Sequence, residues 1–305
     1  MFFSDNGSTA IEVALKIAWQ WWANRGESRQ QLIAFDGAYH GDTFGAMAVG
    51  ERSLFTAPYE PLLFDVCRVG WPHTHWGDTT VEQREQQVIG QLDVALQTPT
   101  AAIIFEPLLQ GASGMRLVRP GFVRAVVERA RSSGALVIAD EVMTGFGRCG
   151  ALFACQKAGV KPDLMALSKG LTGGFLPMGV TMASERLYQG FIGERPELTF
   201  FHGHSFTANP LGCAAALASL DLLQLHPERF QQFEVRHTPL LERLSEDRRV
   251  RRPRCLGTIA AFEVEVGTHG YLNPVGKQIQ RLCLEQGVYL RPLGNTVYVL
   301  PPLTI

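Results

Sequence analysis

Lysine is scarce in this chain. Of 28 basic residues only Lys16, Lys157, Lys161, Lys169 and Lys277 are lysines, so chemistry that needs a nucleophilic amine has few candidates. Charge of one sign is also missing: Lys+Arg is 28 and Asp+Glu 29, for a net charge of −1. The lack of a basic excess to meet a phosphate backbone argues against a general nucleic-acid role. Apolar runs of membrane-spanning length are absent, because charged residues, Gly or Pro interrupt every candidate. The six cysteines form no CxxC pair and no zinc-knuckle spacing. They are expected to be reduced and mostly buried, in a cytoplasmic setting. Internal repeats and low-complexity segments are lacking too. What is present, 305 residues with 46% hydrophobic and 19% charged side chains, suits an ordered protein of one large or two ordinary domains.

Short apolar runs alternate with helical patterns. Residues 32–35, 101–105, 135–139, 164–167 and 179–183 read as strands; 80–96 and 121–132 read as helices. Continuous apolar strands separated by helices predict an α/β fold with a mostly parallel sheet covered on both faces. Met1-Phe2-Phe3-Ser4 reads as a further strand, ending in the polar turn Asp5-Asn6-Gly7-Ser8-Thr9. Residues 10–22 follow as a helix, with Glu12 and Lys16 placed to pair at i,i+4. A domain seldom begins inside such a unit, so additional chain is expected before Met1 and, since no closing helix is evident, beyond the last residue. Residues 209–225 read as an Ala-rich helix buried on several sides. The Arg- and Glu-dense stretch after it sets a boundary near His226: a large domain over 1–225 and a smaller one with a βα-type tail over 226–305. Trp19, Trp21 and Trp22 read as packing or interface residues.

Three places could carry chemistry. The turn from Ser4 to Thr9 opens a helix, whose free N–H groups and dipole make an anion site; Gly7 permits close approach, and Ser8 and Thr9 add hydroxyls. An ordinary N-cap accounts for the same residues. Asp140 ends the strand Val137-Ile138-Ala139, at the edge where parallel sheets bind ligands; a turn or capping acid is the alternative. Lys169 ends the apolar strand Leu164–Leu167 and precedes Gly170 and Gly173-Gly174. Desolvation there would favour a neutral, nucleophilic amine. A phosphate-binding helix start, an acid for a protonated ring nitrogen and a lysine for an aldehyde together describe a site for pyridoxal 5'-phosphate. His73-Thr74-His75 and His202-Gly203-His204 are His-x-His pairs, but neither has acids or cysteines around it, and no metal site is expected.

Asp140-Glu141, with Thr144-Gly145-Phe146-Gly147-Arg148 and Ser168-Lys169-Gly170-Leu171-Thr172-Gly173-Gly174, resembles the signature of class III, fold-type-I aminotransferases. Phe105-Glu106-Pro107 and Gln110-Gly111 match the preceding strand. The resemblance covers almost the whole chain. It implies that Gly7 and Ser8 hold the cofactor phosphate and that Tyr39 stacks on the ring. It gives Asp140 the pyridine nitrogen, and Lys169 the Schiff base and the proton shuttle. The loop His202-Gly203-His204-Ser205 is similar to one that reaches the partner subunit's cofactor, with Ser205 donating to phosphate and His204 beside it; a homodimer with shared sites is implied. Tyr39, Arg148, Lys169, Gly203, Arg291 and Tyr298 would line the substrate.

Ser4 to Glu12 and Tyr39-His40-Gly41-Asp42-Thr43-Phe44-Gly45-Ala46-Met47 resemble one branch in particular. That branch aminates 8-amino-7-oxononanoate to 7,8-diaminononanoate in biotin synthesis, usually with S-adenosylmethionine as donor and in some relatives with lysine. Branches that use 2-oxoglutarate carry Glu in a Gln-Gly-Glu-Ala-Gly motif, paired with an arginine before Pro-Pro-Leu. Ala112 and Tyr298 stand at those positions here, which disfavours them. Arg291 would then grip the substrate's distal carboxylate in an apolar setting of Tyr289, Leu290 and Pro292. A different ω-amino acid or diamine aminotransferase, or an incomplete and inactive member of the fold, are the alternatives.

Overall fold

The computed structural model describes residues 1–267, 270 and 272–304. The apolar runs become strands where the sequence places them. Strand β1 (Phe2–Ser4) leads into helix α1 (Gly7–Asn24), strand β2 (Gln31–Phe35), helix α2 (Phe44–Val49) and strand β3 (Cys67–Val69). Helix α3 (Val81–Ala95), strand β4 (Thr100–Phe105) and a small ribbon of β5 (Leu109–Gln110) and β6 (Arg116–Leu117) follow. Next come helix α4 (Pro120–Ser133), strand β7 (Leu136–Asp140), helix α5 (Ala154–Ala158), and strands β8 (Leu164–Leu167) and β9 (Gly179–Ala183).

Seven of these strands form one sheet in the order β1-β9-β8-β7-β4-β2-β3. β2, β3, β4, β7 and β8 run parallel, as expected of a mostly parallel sheet. β9 is reversed against β8. The link between them, residues 168–178, holds only a short 3-10 turn at Lys169–Thr172, whereas a parallel return needs a longer crossover. β1 is antiparallel to β9 and so points the same way as β8. The carboxyl ends of β1, β2, β4, β7 and β8 therefore share one edge, which is where Asp5, Asp36, Glu106, Asp140 and Ser168 begin their turns.

Alternation sorts the strand side chains to two faces. Leu32, Ala34, Ile104 and Ile138 pack with Ile11, Ala14, Ala18 and Trp22 of α1. Ile33, Phe35, Ile103, Phe105 and Val137 pack with Val88 and Leu92 of α3 and Phe122 and Val126 of α4. Each fully buried aliphatic or aromatic side chain is worth about 1.5–3 kcal/mol. Trp22 is also tied at Nε1 to the Ala101 carbonyl, 2.9 Å away.

Beyond β9 come helices α6 (Glu185–Gln189), α7 (Pro210–Leu225) and α8 (Arg229–Glu246), strands β10 (Val250–Leu256) and β11 (Ile259–Val264), helix α9 (Val275–Glu285) and strand β12 (Thr296–Val299). The tail is not a βα unit: β10-β11-β12 is an antiparallel sheet. It is seated on the main body, since Ile259 and Ala261 join the buried cluster that contains Phe35 and Phe105. Helix α7 also departs from expectation. Only Gly212 and Ala216 are buried, while Leu211, Leu217, Leu222 and Leu225 are exposed. Its alanines favour a helix without defining a narrow apolar stripe. One side meets the 3-10 turn, where Ser219 Oγ donates to the Gly170 carbonyl at 3.1 Å.

Candidate active site

The helix start at Gly7 is built by its cap. Asn6 Oδ1 accepts from Thr9 N at 3.1 Å, and Thr9 Oγ1 accepts from Asn6 N at 3.1 Å. This leaves the Gly7 and Ser8 N–H groups without an intrahelical partner at the positive end of an 18-residue helix. The Thr9 hydroxyl, expected to face an anion, is instead used in the cap, donating to the Asn6 carbonyl at 2.9 Å. Ser8 Oγ accepts from Asp42 N at 3.2 Å and keeps its own proton to donate. The close approach of the two loops depends on Gly41, with φ +126°, where a Cβ would fall 2.1 Å from Ser8 Oγ. At Gly7 a Cβ would fall 2.8 Å from Val142 Cγ1.

Asp140 is buried at the end of β7. Its Oδ1 accepts from Val142 N at 3.0 Å, and Oδ2 accepts from His40 Nδ1 at 2.7 Å. The carboxylate fixes the His40 proton on Nδ1, so Nε2 is the acceptor in the neutral ring; it is buried and has no hydrogen-bond partner among the described residues. Glu141 has a different task. It accepts from Thr144 Oγ1 and from the Ala154 and Cys155 N–H groups at the start of α5, and burial pushes its carboxyl up. The first acid of the pair faces the site edge and the second caps a helix.

Two functional candidates escaped the sequence reading, His40 and Glu106. Glu106 is buried below the same edge, with Oε1 accepting from Tyr39 N at 3.2 Å and Oε2 from Gly111 N at 3.0 Å. Burial pushes its carboxyl up to about 7, His40 opposes this and Asp140 adds to it. Tyr39 stands partly exposed above it, its hydroxyl donating to Asp42 Oδ2 at 3.1 Å. Burial, then the Asp42 charge, push the phenol up to about 12.

Lys169 opens the 3-10 turn after β8, in the left-handed region at φ +42°. A side chain held there stores about 1–3 kcal/mol of strain, a feature concentrated at functional sites. The preceding Ser168 is buried, and its Oγ donates to the Met178 carbonyl at 2.7 Å. Lys169 itself is exposed, so the described residues do not supply the desolvation expected at a strand end. Other lysines have partners. Lys16 Nζ is 3.0 Å from His202 Nδ1, not paired with Glu12 as its spacing suggested. Glu12 instead receives Gly45 N and Ala46 N at the start of α2, 2.7 and 3.1 Å away. Lys157 pairs with Glu234.

The outer residues are less gathered. His204 Nε2 lies 3.3 Å from Asp5 Oδ1 of its own chain, outside hydrogen-bonding geometry, while its Nδ1 accepts from Phe206 N at 3.2 Å. Gly203 and Ser205 are exposed beside it. Arg148, read as a substrate contact, uses Nη1 on Thr258 Oγ1 and the Pro301 carbonyl, at 3.0 and 2.7 Å. Those bonds tie the main body to the C-terminal elements. Arg291 is exposed, and the apolar setting expected around it is not formed among the described residues, where Tyr289 is 70% exposed. Tyr298 lies in β12 opposite Ala261. Among the described residues no group of three His, Cys, Asp or Glu could hold a metal.

Residues 1–305 match the sequence model of the family described as Aminotransferase class-III. The chain belongs to the class-III aminotransferases. Among its relatives in this family is the adenosylmethionine-8-amino-7-oxononanoate aminotransferase of Synechococcus elongatus, 55% identical over 303 residues, covering 99% of this chain and 72% of that protein. The protein of the same name from Geobacter sulfurreducens is 41% identical and covers all of this chain and 71% of its own. The crystal structure of the Methanocaldococcus jannaschii protein of that name superposes with a TM-score of 0.87 at 33% identity, over 100% of this chain and 70% of that one. An amine transaminase from an uncultivated Pseudomonas species, solved in its PLP-bound form, superposes at 0.90 with 30% identity, over 100% and 72%. This class-III aminotransferase thus has the α/β architecture of its relatives, with β7 and β8 delivering Asp140 and Lys169 to one edge.

Proposed function

We propose that this site holds pyridoxal 5'-phosphate and transfers an amino group from S-adenosylmethionine to 8-amino-7-oxononanoate, giving 7,8-diaminononanoate. The observation that carries the reading is the meeting, on one sheet edge, of a capped helix start, a buried carboxylate and an exposed lysine. The substrate pair rests on relatives of that name at 55% and 41% identity, and on Ala112 and Tyr298 standing where 2-oxoglutarate-using branches place Glu and Arg.

The residues present fit the cofactor. Gly7 and Gly41 let the helix start pack closely against Val142 and against the loop carrying Asp42, where a Cβ at either would clash with Val142 or Ser8. Two free N–H groups and the Ser8 hydroxyl suit a dianionic phosphate. Asp140 keeps lone pairs beyond its bonds to Val142 and His40, and so can accept from a ring N–H. When bound, the cofactor supplies an aldehyde conjugated to a protonated pyridine, an acceptor for the electrons released as a substrate C–H bond breaks. Asp140 holds the ring proton by a charge-assisted bond, and His40 fixes the orientation of that carboxylate. Tyr39 would lie against the ring and border the substrate. Lys169 Nζ is the attachment point for the aldehyde. Its amine, once free, would be the group that holds and returns a proton at Nζ. Arg291, exposed and planar, takes the distal carboxylate.

The working unit is a homodimer. Phe201 and Phe206 are 75% and 73% exposed around Ser205, and Leu211, Leu217, Leu222 and Leu225 of α7 are exposed as well; large apolar side chains left bare in this way suit a surface that a second copy would cover. All six cysteines are free, which suits the reducing cytoplasmic setting proposed here; no helix among the described residues is long and apolar enough to cross a membrane. The test is a donor panel with 8-amino-7-oxononanoate as acceptor, on protein whose dimeric state is established by sedimentation. Diamine formation with S-adenosylmethionine supports the proposal. Amination of pyruvate by simple amines, without turnover of 8-amino-7-oxononanoate, would replace it with an ω-amine transaminase.

A further inference from the structure

Arg254 lies in β10 and is 4% exposed. Its guanidinium binds three main-chain carbonyls: Nε donates to Met115 at 2.7 Å, Nη2 to Gly114 at 2.5 Å, and Nη1 to Arg252 at 2.6 Å. Glu263 Oε1 stands 3.4 Å from Nη1. Burial holds the guanidinium below its usual value, at about 10, with Glu263 opposing. Removing a fixed charge from water is costly, and here two of its bonds go to a single turn of the main body. That turn, Gly111–Met115, needs holding. Gly114 and Met115 are both left-handed, at φ +95° and +55°. Their N–H groups both bond the Gly111 carbonyl, at 3.2 and 3.1 Å.

Gly111 connects this turn to the site. Its N–H donates to Glu106 Oε2 at 3.0 Å, and the other oxygen of Glu106 accepts from Tyr39 N at 3.2 Å. Gly111 has no room to move aside, since a Cβ there would lie 2.0 Å from Met143 Sδ. A continuous path of hydrogen bonds therefore runs from the small antiparallel sheet to the residue that borders the ring.

We propose that Arg254 is a positioning residue that, through the Gly111–Met115 turn and Glu106, couples the seating of the small sheet to the placement of Tyr39. The proposal rests on Tyr39 facing the cofactor. It has an electrostatic consequence. The groups facing Glu106 are Tyr39 N, Gly111 N, His40 and Asp140. Moving the Gly111 N–H away removes one bond that favours the ionised carboxylate, leaving burial and Asp140 less opposed, so Glu106 would take up its proton at higher pH.

The test compares wild type with Arg254→Gln and Arg254→Lys. Amide hydrogen exchange is followed on the cofactor-free protein, then pyridoxal phosphate is titrated by absorbance across pH. For Arg254→Gln we expect faster exchange in residues 106–117 and also in 36–45, with β7 and β8 unchanged. Cofactor affinity should fall about 3- to 30-fold, and the midpoint of its pH dependence should move upward. Arg254→Lys, which keeps the charge but not the fork, should fall between, and it carries the comparison alone if the Gln variant does not fold. Loosening confined to 106–117, or an unchanged affinity and pH midpoint, would overturn the proposal. Failure of wild type to bind the cofactor would instead defeat the functional reading, while the exchange pattern of the cofactor-free protein would still report on the coupling.

Discussion

At the scale of single residues, the site is an arrangement of buried acids around one histidine. Asp140 and Glu106 are both buried, and His40 bonds the first and attenuates the repulsion felt by the second. Glu106 gives a pH signature. Its folded value is raised to about 7 from 4.5, so between those pH values the folded state holds a proton that the unfolded state has lost. The stability it contributes is present below about 4.5 and is lost as pH rises to about 7, roughly 3 kcal/mol in all. His73 works in the opposite direction. Burial lowers it from 6.5 to about 4, so its contribution is present above about 6.5 and lost as pH falls. Glu106→Gln should therefore gain stability relative to wild type as pH rises from 4.5 to 7, read from urea midpoints at each pH. Parallel curves for the two proteins would show that folding does not raise the Glu106 carboxyl.

At the scale of elements, the helix start at Gly7 is the part most exposed to a single methyl group. Gly41→Ala places a Cβ against Ser8 in a left-handed backbone, and should cost about 1–3 kcal/mol of stability. Cofactor affinity should fall with it, since Ser8 must shift; a calorimetric titration that finds affinity intact would remove Ser8 from the phosphate site. Much at this scale was legible in the sequence. The strands at 164–167 and 179–183 coincide with their apolar runs, and Asp140 and Lys169 stand at strand ends as expected. What local pattern does not encode was missed. The direction of β9 depends on the length of a connection. The exposure of α7 depends on what lies beside it, because an Ala- and Leu-rich helix looks the same in a core or at an interface. Glu12 found the N–H groups of α2, 33 residues away, which answered a stronger need than a surface pair with Lys16. His40 bonds a partner 100 residues distant, a contact that no spacing rule reaches.

At the scale of the molecule, the sheet edge serves as a common plane. A strand reversal at β9 returns β1 parallel to β8, and that places the helix start of α1 with the turns carrying Tyr39, Glu106, Asp140 and Lys169. The small sheet closes against this body through the half-buried Arg148 and the buried Arg254, both of which bind main-chain carbonyls. Phe201 and Phe206 near Ser205, and Leu211, Leu217, Leu222 and Leu225 of α7, are exposed, and the proposed homodimer would use them. Everything proposed about the reaction depends on one amine. Lys169 is the lysine that joins a strand end to a strained turn on that edge, and Lys157, paired with Glu234, is the control within the same chain. The most direct measurement is borohydride reduction of the protein loaded with pyridoxal phosphate, followed by peptide mapping. The account predicts a phosphopyridoxyl group on the peptide containing Lys169, lost in Lys169→Ala. A label on Lys157 or Lys277, or labelling that survives in Lys169→Ala, would contradict it.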